Sequence, residues 1–324
     1  MRLLAERSAE LRALGIAWRI TGVASRRLGW IASPAGLNTT LLCSAETITP
    51  ATFPRHFLQS KSVYEWLHTA GADVMFEATS LNVQNGEPAV GHIRAALEHG
   101  AHAITANKGP IVYSYDELRE LAANKGKRFL FESTVMDGVP IFSLFRDSLP
   151  GVHLHGFRGV LNSTTNVILT GMEEGLSFAA ALQKAQEIGV AETDATHDIE
   201  GWDAAVKVTA LVRVLMGERL SLHDVQREGI RGLTGEQVRE ARTEGKPYKL
   251  VCRAQRTEHG VSASVGPERV PLSDPLAWVA GTSSIVYFES DIFPGLCITE
   301  ENPAMYATAY GMLADFIKAV EYES

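Results

Sequence analysis

No two of the chain's 28 glycines are separated by a single residue, so the glycine-X-glycine turn that brings backbone amides against a pyrophosphate does not occur. Cysteine is scarce too. Cys43, Cys252 and Cys297 lie far apart, form no Cys-X-X-Cys pair and offer no metal-ligand spacing. Such a scattered, odd set excludes a disulfide framework and fits a reducing, cytoplasmic compartment. No apolar run reaches the roughly 18 residues of a membrane span. Positive charge is not in excess, the formal net charge being -8 at pH 7, which excludes a general electrostatic grip on nucleic acid or acidic membranes. Residues Met1 to Leu14 are amphipathic with mixed charge, unlike a signal peptide.

What is present fits a soluble two-domain protein: 324 residues, 45% hydrophobic and 21% charged. Strand-like stretches at Ala17–Ala24, Ala72–Thr79, Ala103–Ala106 and Arg128–Glu132 alternate with helical patterns over 2–14, Lys61–Thr69, His92–His99 and Tyr115–Lys125. Gly100 supplies a helix stop. This alternation predicts an α/β domain of parallel βαβ units. From Gly151 the texture changes to a strand at His153–Leu161, a polar run at Asn162–Asn166 and helices at Ser177–Ile188 and Trp202–Met216. Several short antiparallel strands are expected over 246–290, and a last helix over Thr308–Val320. The predicted division is 1–150, with 303–324 returning to it, and an α+β domain over 151–302.

Parallel α/β domains bind ligands at the carboxyl ends of their strands. Glu77-Ala-Thr-Ser-Leu-Asn82 and Thr105-Ala-Asn-Lys-Gly-Pro110 occupy such places, and Lys108 is pinned between Asn107 and a Gly-Pro turn. Further on, AETDATHDIEGWDAAVK spans residues 191–207. Asp203 and Lys207 share one helix face, and that face continues as Val206, Ala210, Leu211 and Val214. A solvated ion pair, with Asp198 as a helix cap, accounts for this spacing. So does a desolvated acid–base site.

Taken in order, Thr105-Ala-Asn-Lys-Gly-Pro110, Glu132-Ser-Thr-Val-Met-Asp-Gly-Val-Pro140, Leu161-Asn-Ser-Thr-Thr-Asn166 and the 191–207 stretch resemble the homoserine dehydrogenase family. The resemblance runs nearly the length of the chain. It implies an incomplete Rossmann-type nucleotide-binding domain and an α+β domain for substrate and dimerisation. The implied reaction is hydride transfer between NAD or NADP and aspartate 4-semialdehyde or homoserine, in the aspartate-derived threonine and methionine pathway. By the same resemblance Lys207 donates the proton to the carbonyl oxygen, and Lys108 lies between nicotinamide and substrate. Asp203 neighbours the reacting oxygen; Glu192 and Asp198 hold the amino-acid end. Elementary chemistry agrees: an alkoxide develops as hydride arrives, and an α-ammonium needs carboxylates. Thr79, Ser80, Lys108 and Ala304 fall on the cofactor side. Arg26 stands where a basic residue suits the 2′-phosphate of NADP. Glu132, Val135, Asp137 and Val139 match a turn that binds a monovalent cation, Na or K, although Met136-Asp137 replaces its small, glycine-rich residues. A homodimer is implied as well.

Two departures accompany the resemblance. The chain starts inside the helix that should follow the missing glycine turn, through truncation or through loss of that turn, and weak NAD(P) binding is expected in either case. Near the last helix, Glu301-Asn-Pro-Ala-Met-Tyr-Ala-Thr-Ala-Tyr-Gly311 stands where a glycine-rich approach is usual. The short form, without fused kinase or regulatory domain, fits this length. A non-catalytic paralogue that binds an amino acid or a protein is the reading from a different class. Another semialdehyde-handling oxidoreductase would need a cysteine nucleophile or a His–Asp pair, and no cysteine lies in a matching motif.

Overall fold

Local signals set most element ends in the computed structural model, which describes residues 1–44 and 58–321. One unit comprises Met1–Thr134 with Tyr306–Ser324, the other Val135–Met305. The first opens with helices α1 (Arg2–Glu6) and α2 (Ser8–Ala13). Strands β1 (Gly22–Ser25) and β2 (Gly29–Ala32) pair antiparallel, and β3 (Leu58–Ser60) joins β2 after α3 (Thr39–Ser44). Helix α4 (Val63–Ala70) starts at Ser62, whose side chain accepts the Glu65 amide at 3.2 Å. Then β4 (Val74–Glu77), α5 (Ala89–His99), β5 (His102–Thr105), α6 (Gly109–Asn124) and β6 (Phe129–Leu130) build a parallel sheet in the order β4-β5-β6. The fold class is thus α/β with a Rossmann-like parallel sheet.

One sequence expectation for this unit needs correcting. The stretch Ala17–Ala24 is not a strand of the parallel sheet; its strand is Gly22–Ser25, paired in a hairpin with β2. The reason is local. Leu28 N donates to Ser25 Oγ at 3.1 Å and closes a tight turn, so the nearest partner lies a few residues away. Helix α6 joins two helical pieces at Ser114, φ -142: a first stretch opened by Asn107 Oδ1, which accepts the Gly109 amide at 2.8 Å, and by Pro110, then the expected helix from Tyr115 on.

The second unit holds α7 (Ile141–Ser143), β7 (Leu154–Val160), α8 (Ser163–Glu173), α9 (Phe178–Glu187), α10 (Thr196–Ile199) and α11 (Trp202–Leu211). It continues with β8 (Gln226–Arg227), α12 (Gly235–Thr243), β9 (Tyr248–Thr257), β10 (Gly260–Arg269), β11 (Ser284–Ser290) and β12 (Leu296–Glu300). Their sheet runs β12-β11-β7-β9-β10-β8, antiparallel except at β10–β8. The expected short strands over 246–290 are corrected to β9 and β10 of 10 residues each, followed by β11. Pro267 stays inside the ladder because β8 serves β10 only at Ser264 and Val265, leaving the proline side without a neighbour to supply. The polar run Asn162–Asn166 is the start of α8, with Asn162 Oδ1 accepting the Thr165 amide at 2.9 Å.

The described residues end with α13 (Met305–Glu321). Leu313, Phe316 and Ala319 of α13 pack with Leu3, Leu11, Ile16, Ile104 and Leu130, so both ends of the chain build one core. Asp315 accepts the Glu132 amide at 2.8 Å. Among the described residues no helix is long and apolar enough to cross a membrane.

Candidate active site

In the second unit three predicted residues come together. Asp194 Oδ1 accepts the Thr196 amide at 3.1 Å and starts α10, which carries Asp198. Gly201, at φ 79, turns the chain into α11, and Asp203 lies in its first turn, where a carboxylate suits the helix dipole. Lys207 is four residues on. Its Nζ stands 2.9 Å from Asp203 Oδ2 and donates to the Leu161 carbonyl at 2.5 Å, where the chain leaves β7. Asn162 Nδ2 bridges the two acids, donating to Asp198 Oδ1 at 2.7 Å and to Asp203 Oδ2 at 3.1 Å. This is not a solvated ion pair: the side chains of Lys207 and Asp203 are only 15% and 20% exposed.

The electrostatics follow from burial and charge. Burial alone would lower the Lys207 pKa; the carboxylates of Asp203, Asp198 and Asp137 outweigh it and hold the ammonium above its ordinary value. Burial and the repulsion of Asp203 raise Asp198, against the hydrogen bonds of Asn162 and Thr164 and the Lys207 charge. Glu300 is pushed up to about 7 by burial and by Asp137. Burial drives the Cys252 thiol up to about 12, which leaves it protonated and unfit as a nucleophile. Glu192, by contrast, is exposed, and its carbonyl accepts Gln186 Nε2 at 3.2 Å.

In the first unit Thr79 and Ser80 are exposed just past β4, and Lys108 is half-buried at the start of α6. Arg26 is exposed at the tip of the β1–β2 hairpin, and Ala304 is exposed one residue before α13. The turns after β4 and β5 are cross-tied: Asn107 Nδ2 donates to the Thr79 carbonyl at 2.9 Å. A Cβ on Gly109 would lie 2.8 Å from Gly86 Cα, so the second turn is packed to the backbone. Ser80 and Lys108 could hold the nicotinamide end of a dinucleotide at the carboxyl edge of this parallel sheet, while the Thr79 and Thr105 hydroxyls bond to Glu77. For the pyrophosphate the sequence has no glycine pair in the usual spacing.

At the implied cation turn, Glu132 and Val135 are buried, and Val139 N donates to the Met136 carbonyl at 2.9 Å. Met136 and Asp137 adopt φ 54 and 52, the left-handed region. The backbone therefore keeps a glycine-type shape although side chains have replaced glycine, at a cost of about 1 kcal/mol or more per residue. Among the described residues no group of three or more His, Cys, Asp or Glu could hold a metal. Sequence reasoning gave no role to Asn162, Leu161 O, Glu77 or Glu300. An Asn directly ahead of a run that turns helical was the one available signal, masked by the low helix propensity of Ser-Thr-Thr.

Residues 140–317 match the sequence profile described as homoserine dehydrogenase, and residues 3–132 match that of the homoserine dehydrogenase NAD binding domain. The chain belongs to the homoserine dehydrogenase family. It is 35% identical over 320 residues to the NAD(+)-dependent homoserine dehydrogenase of Pseudomonas canavaninivorans, covering 98% of this chain and 91% of that one. A homoserine dehydrogenase of Methanocaldococcus jannaschii is 39% identical over 247 residues, 76% of this chain and 72% of the relative. Among solved structures, a hyperthermophilic archaeal homoserine dehydrogenase in complex with NADPH superposes with TM-score 0.82 at 27% identity, covering 98% and 92% of the two chains. The homoserine dehydrogenase from Thiobacillus denitrificans gives TM-score 0.83 at 27% identity, over 99% of this chain and 70% of that one. Members of the family are NAD(P)-dependent oxidoreductases, and this chain carries both of its characteristic domains.

Proposed function

We propose that Lys207, Asp203 and Asp198 serve the interconversion of aspartate 4-semialdehyde and homoserine. The carrying observation is the buried Lys207–Asp203 pair, bonded to Leu161 O and Asn162 at the start of α8. Bound nicotinamide supplies or accepts the hydride at the carbonyl carbon. The chain's own residues then handle the oxygen. An ammonium has three N–H donors; Leu161 O and Asp203 Oδ2 take two, and we assign the third to the substrate oxygen. There Lys207 meets the developing alkoxide and gives it a proton. Asp203 keeps the lysine charged and aimed.

Two carboxylates against one lysine leave this cluster anionic, which suits an α-ammonium group and supports Asp198 as its partner. Glu192 joins it in this reading through the exposed end of the same segment. Lys108, Thr79 and Ser80 would hold the nicotinamide end, and Ala304 is assigned to the cofactor as well. Arg26 favours NADP, whereas the Pseudomonas relative is named for NAD(+) and the archaeal neighbour holds NADPH. Glu132, Val135, Asp137 and Val139 are assigned to a monovalent cation, the added Asp137 carboxylate strengthening the attraction. A cytoplasmic homodimer is part of the same reading. The deciding experiment is homoserine-dependent reduction of NADP and NAD. Lys207→Ala should lower turnover by about 10²–10⁴-fold with the melting temperature nearly unchanged. Wild-type turnover in that variant would remove the mechanism.

A further inference from the structure

Glu77 closes β4 and is almost wholly out of solvent, 3% exposed, where two chain reversals leave the parallel sheet. Its oxygens serve different turns. Oε1 accepts the Thr79 amide at 2.9 Å and also the Thr79 hydroxyl, from the turn after β4. Oε2 accepts the Thr105 hydroxyl at 3.0 Å, from the last residue of β5. Thr105 Oγ1 in turn accepts the Asn107 amide at 2.9 Å, and Asn107 Oδ1 accepts the Gly109 amide at 2.8 Å. Asn107 Nδ2 then reaches back to the Thr79 carbonyl at 2.9 Å. The bonds form a closed ring through both turns, so neither turn can shift without releasing the other.

A buried carboxylate is costly unless it is hydrogen-bonded. Burial would raise the Glu77 pKa; His92, the Thr79 hydroxyl and amide, and the Thr105 hydroxyl outweigh it and keep the group ionised below its ordinary value. His92 Nδ1 lies 3.7 Å from Oε1, and its ring meets Trp30 edge-on with centroids 5.4 Å apart. The pairing of β4 with β5 runs through backbone atoms and does not need the side chain of its last residue.

We propose that Glu77 is a positioning residue, holding the Thr79–Ser80 turn and the Asn107–Lys108 turn at the spacing a nicotinamide dinucleotide requires. This rests on the reading of both turns as cofactor-facing. Glu77 touches neither substrate nor cofactor in this role; it acts through Thr79, Thr105 and Asn107.

The test combines hydrogen–deuterium exchange of the cofactor-free chain with NADPH fluorescence titration. Glu77→Gln keeps the length and removes the charge. Its amides over 78–84 and 105–109 should exchange about tenfold faster, those of α5 and α8 unchanged. Thr105→Val cuts one tether and should loosen chiefly 105–109. In Glu77→Gln the NADPH Kd should rise about tenfold or more, with KM for homoserine within about twofold of wild type. A Kd equal to wild type, or faster exchange throughout the first unit, would overturn the proposal, the latter by showing a general support of the fold. A wild-type chain that takes up no NADPH at all would instead sink the cofactor reading, a result visible before any variant is made.

Discussion

In the second unit, two carboxylates and an ammonium meet at one amide and one carbonyl, Asn162 and Leu161. In the first unit the corresponding polar network has one carboxylate, Glu77, answered mainly by hydroxyls and amides. The first arrangement gathers charge, in the proposed mechanism beside the reacting oxygen; the second ties two turns together. Charge can act over a distance and can be tuned by neighbours, while shape depends on packing to a few tenths of an ångström. The two halves should therefore respond to different kinds of substitution.

With Lys207 left in place, Asp203→Asn should have the largest effect, because it removes charge at nearly constant shape. In the wild type burial would lower the Lys207 pKa, but the Asp203, Asp198 and Asp137 carboxylates outweigh it and hold the ammonium above its ordinary value. Aldehyde reduction uses the protonated form and should stay level as pH rises through neutral. Homoserine oxidation needs the neutral amine and should climb with pH over the same range. Without the Asp203 charge, burial pulls the lysine pKa down. The oxidation limb should then begin at lower pH, with turnover at neutral pH reduced about 10²-fold. An oxidation profile identical to wild type would break the comparison on its charged side.

Gly109→Ala alters shape alone. The added Cβ would sit 2.8 Å from Gly86 Cα, and backbone on both sides cannot yield cheaply. Cofactor KM should rise about tenfold while homoserine KM stays constant, checked by varying each substrate in turn. The smallest effect on catalysis is expected at Lys249. It is 1% exposed and donates to Val279 O at 2.6 Å and Asn166 Oδ1 at 3.3 Å. Burial lowers its pKa, but it belongs to neither network. Lys249→Met should destabilise by about 1–3 kcal/mol in urea titration and leave both KM values within twofold. A large catalytic loss there would mean that any buried charge in this unit matters, not the cluster itself.

The residues that the sequence exposed best are those whose geometry is local. Asp203 and Lys207 are one helical turn apart, so their meeting was readable from spacing; Asp198 came with them through the family pattern. Asn162 was not readable, because its bonds span 36 and 41 residues and depend on how β7 delivers the start of α8. The same holds for Glu77, whose Thr105 partner is 28 residues away. The parallel strands β4 and β5 and the stop at Gly100 were legible from alternation and from one glycine. Ala17–Ala24 was misread because apolar alternation states that a strand can form, not which neighbour it finds. Arg26 drew its proposed role from that strand and now stands at a hairpin tip, so its part in cofactor choice has to be earned by measurement.

The core shared by α1, α2 and α13 carries a consequence for biosynthesis. Leu313 and Phe316 leave the ribosome long after Leu3 and Leu11, so the first unit must wait for them with its apolar surface uncovered. The second unit, continuous from Val135 to Met305, has all its strands in hand earlier. The order of completion is then the reverse of the order of translation: the half of the polypeptide made first would be the one most in need of a chaperone.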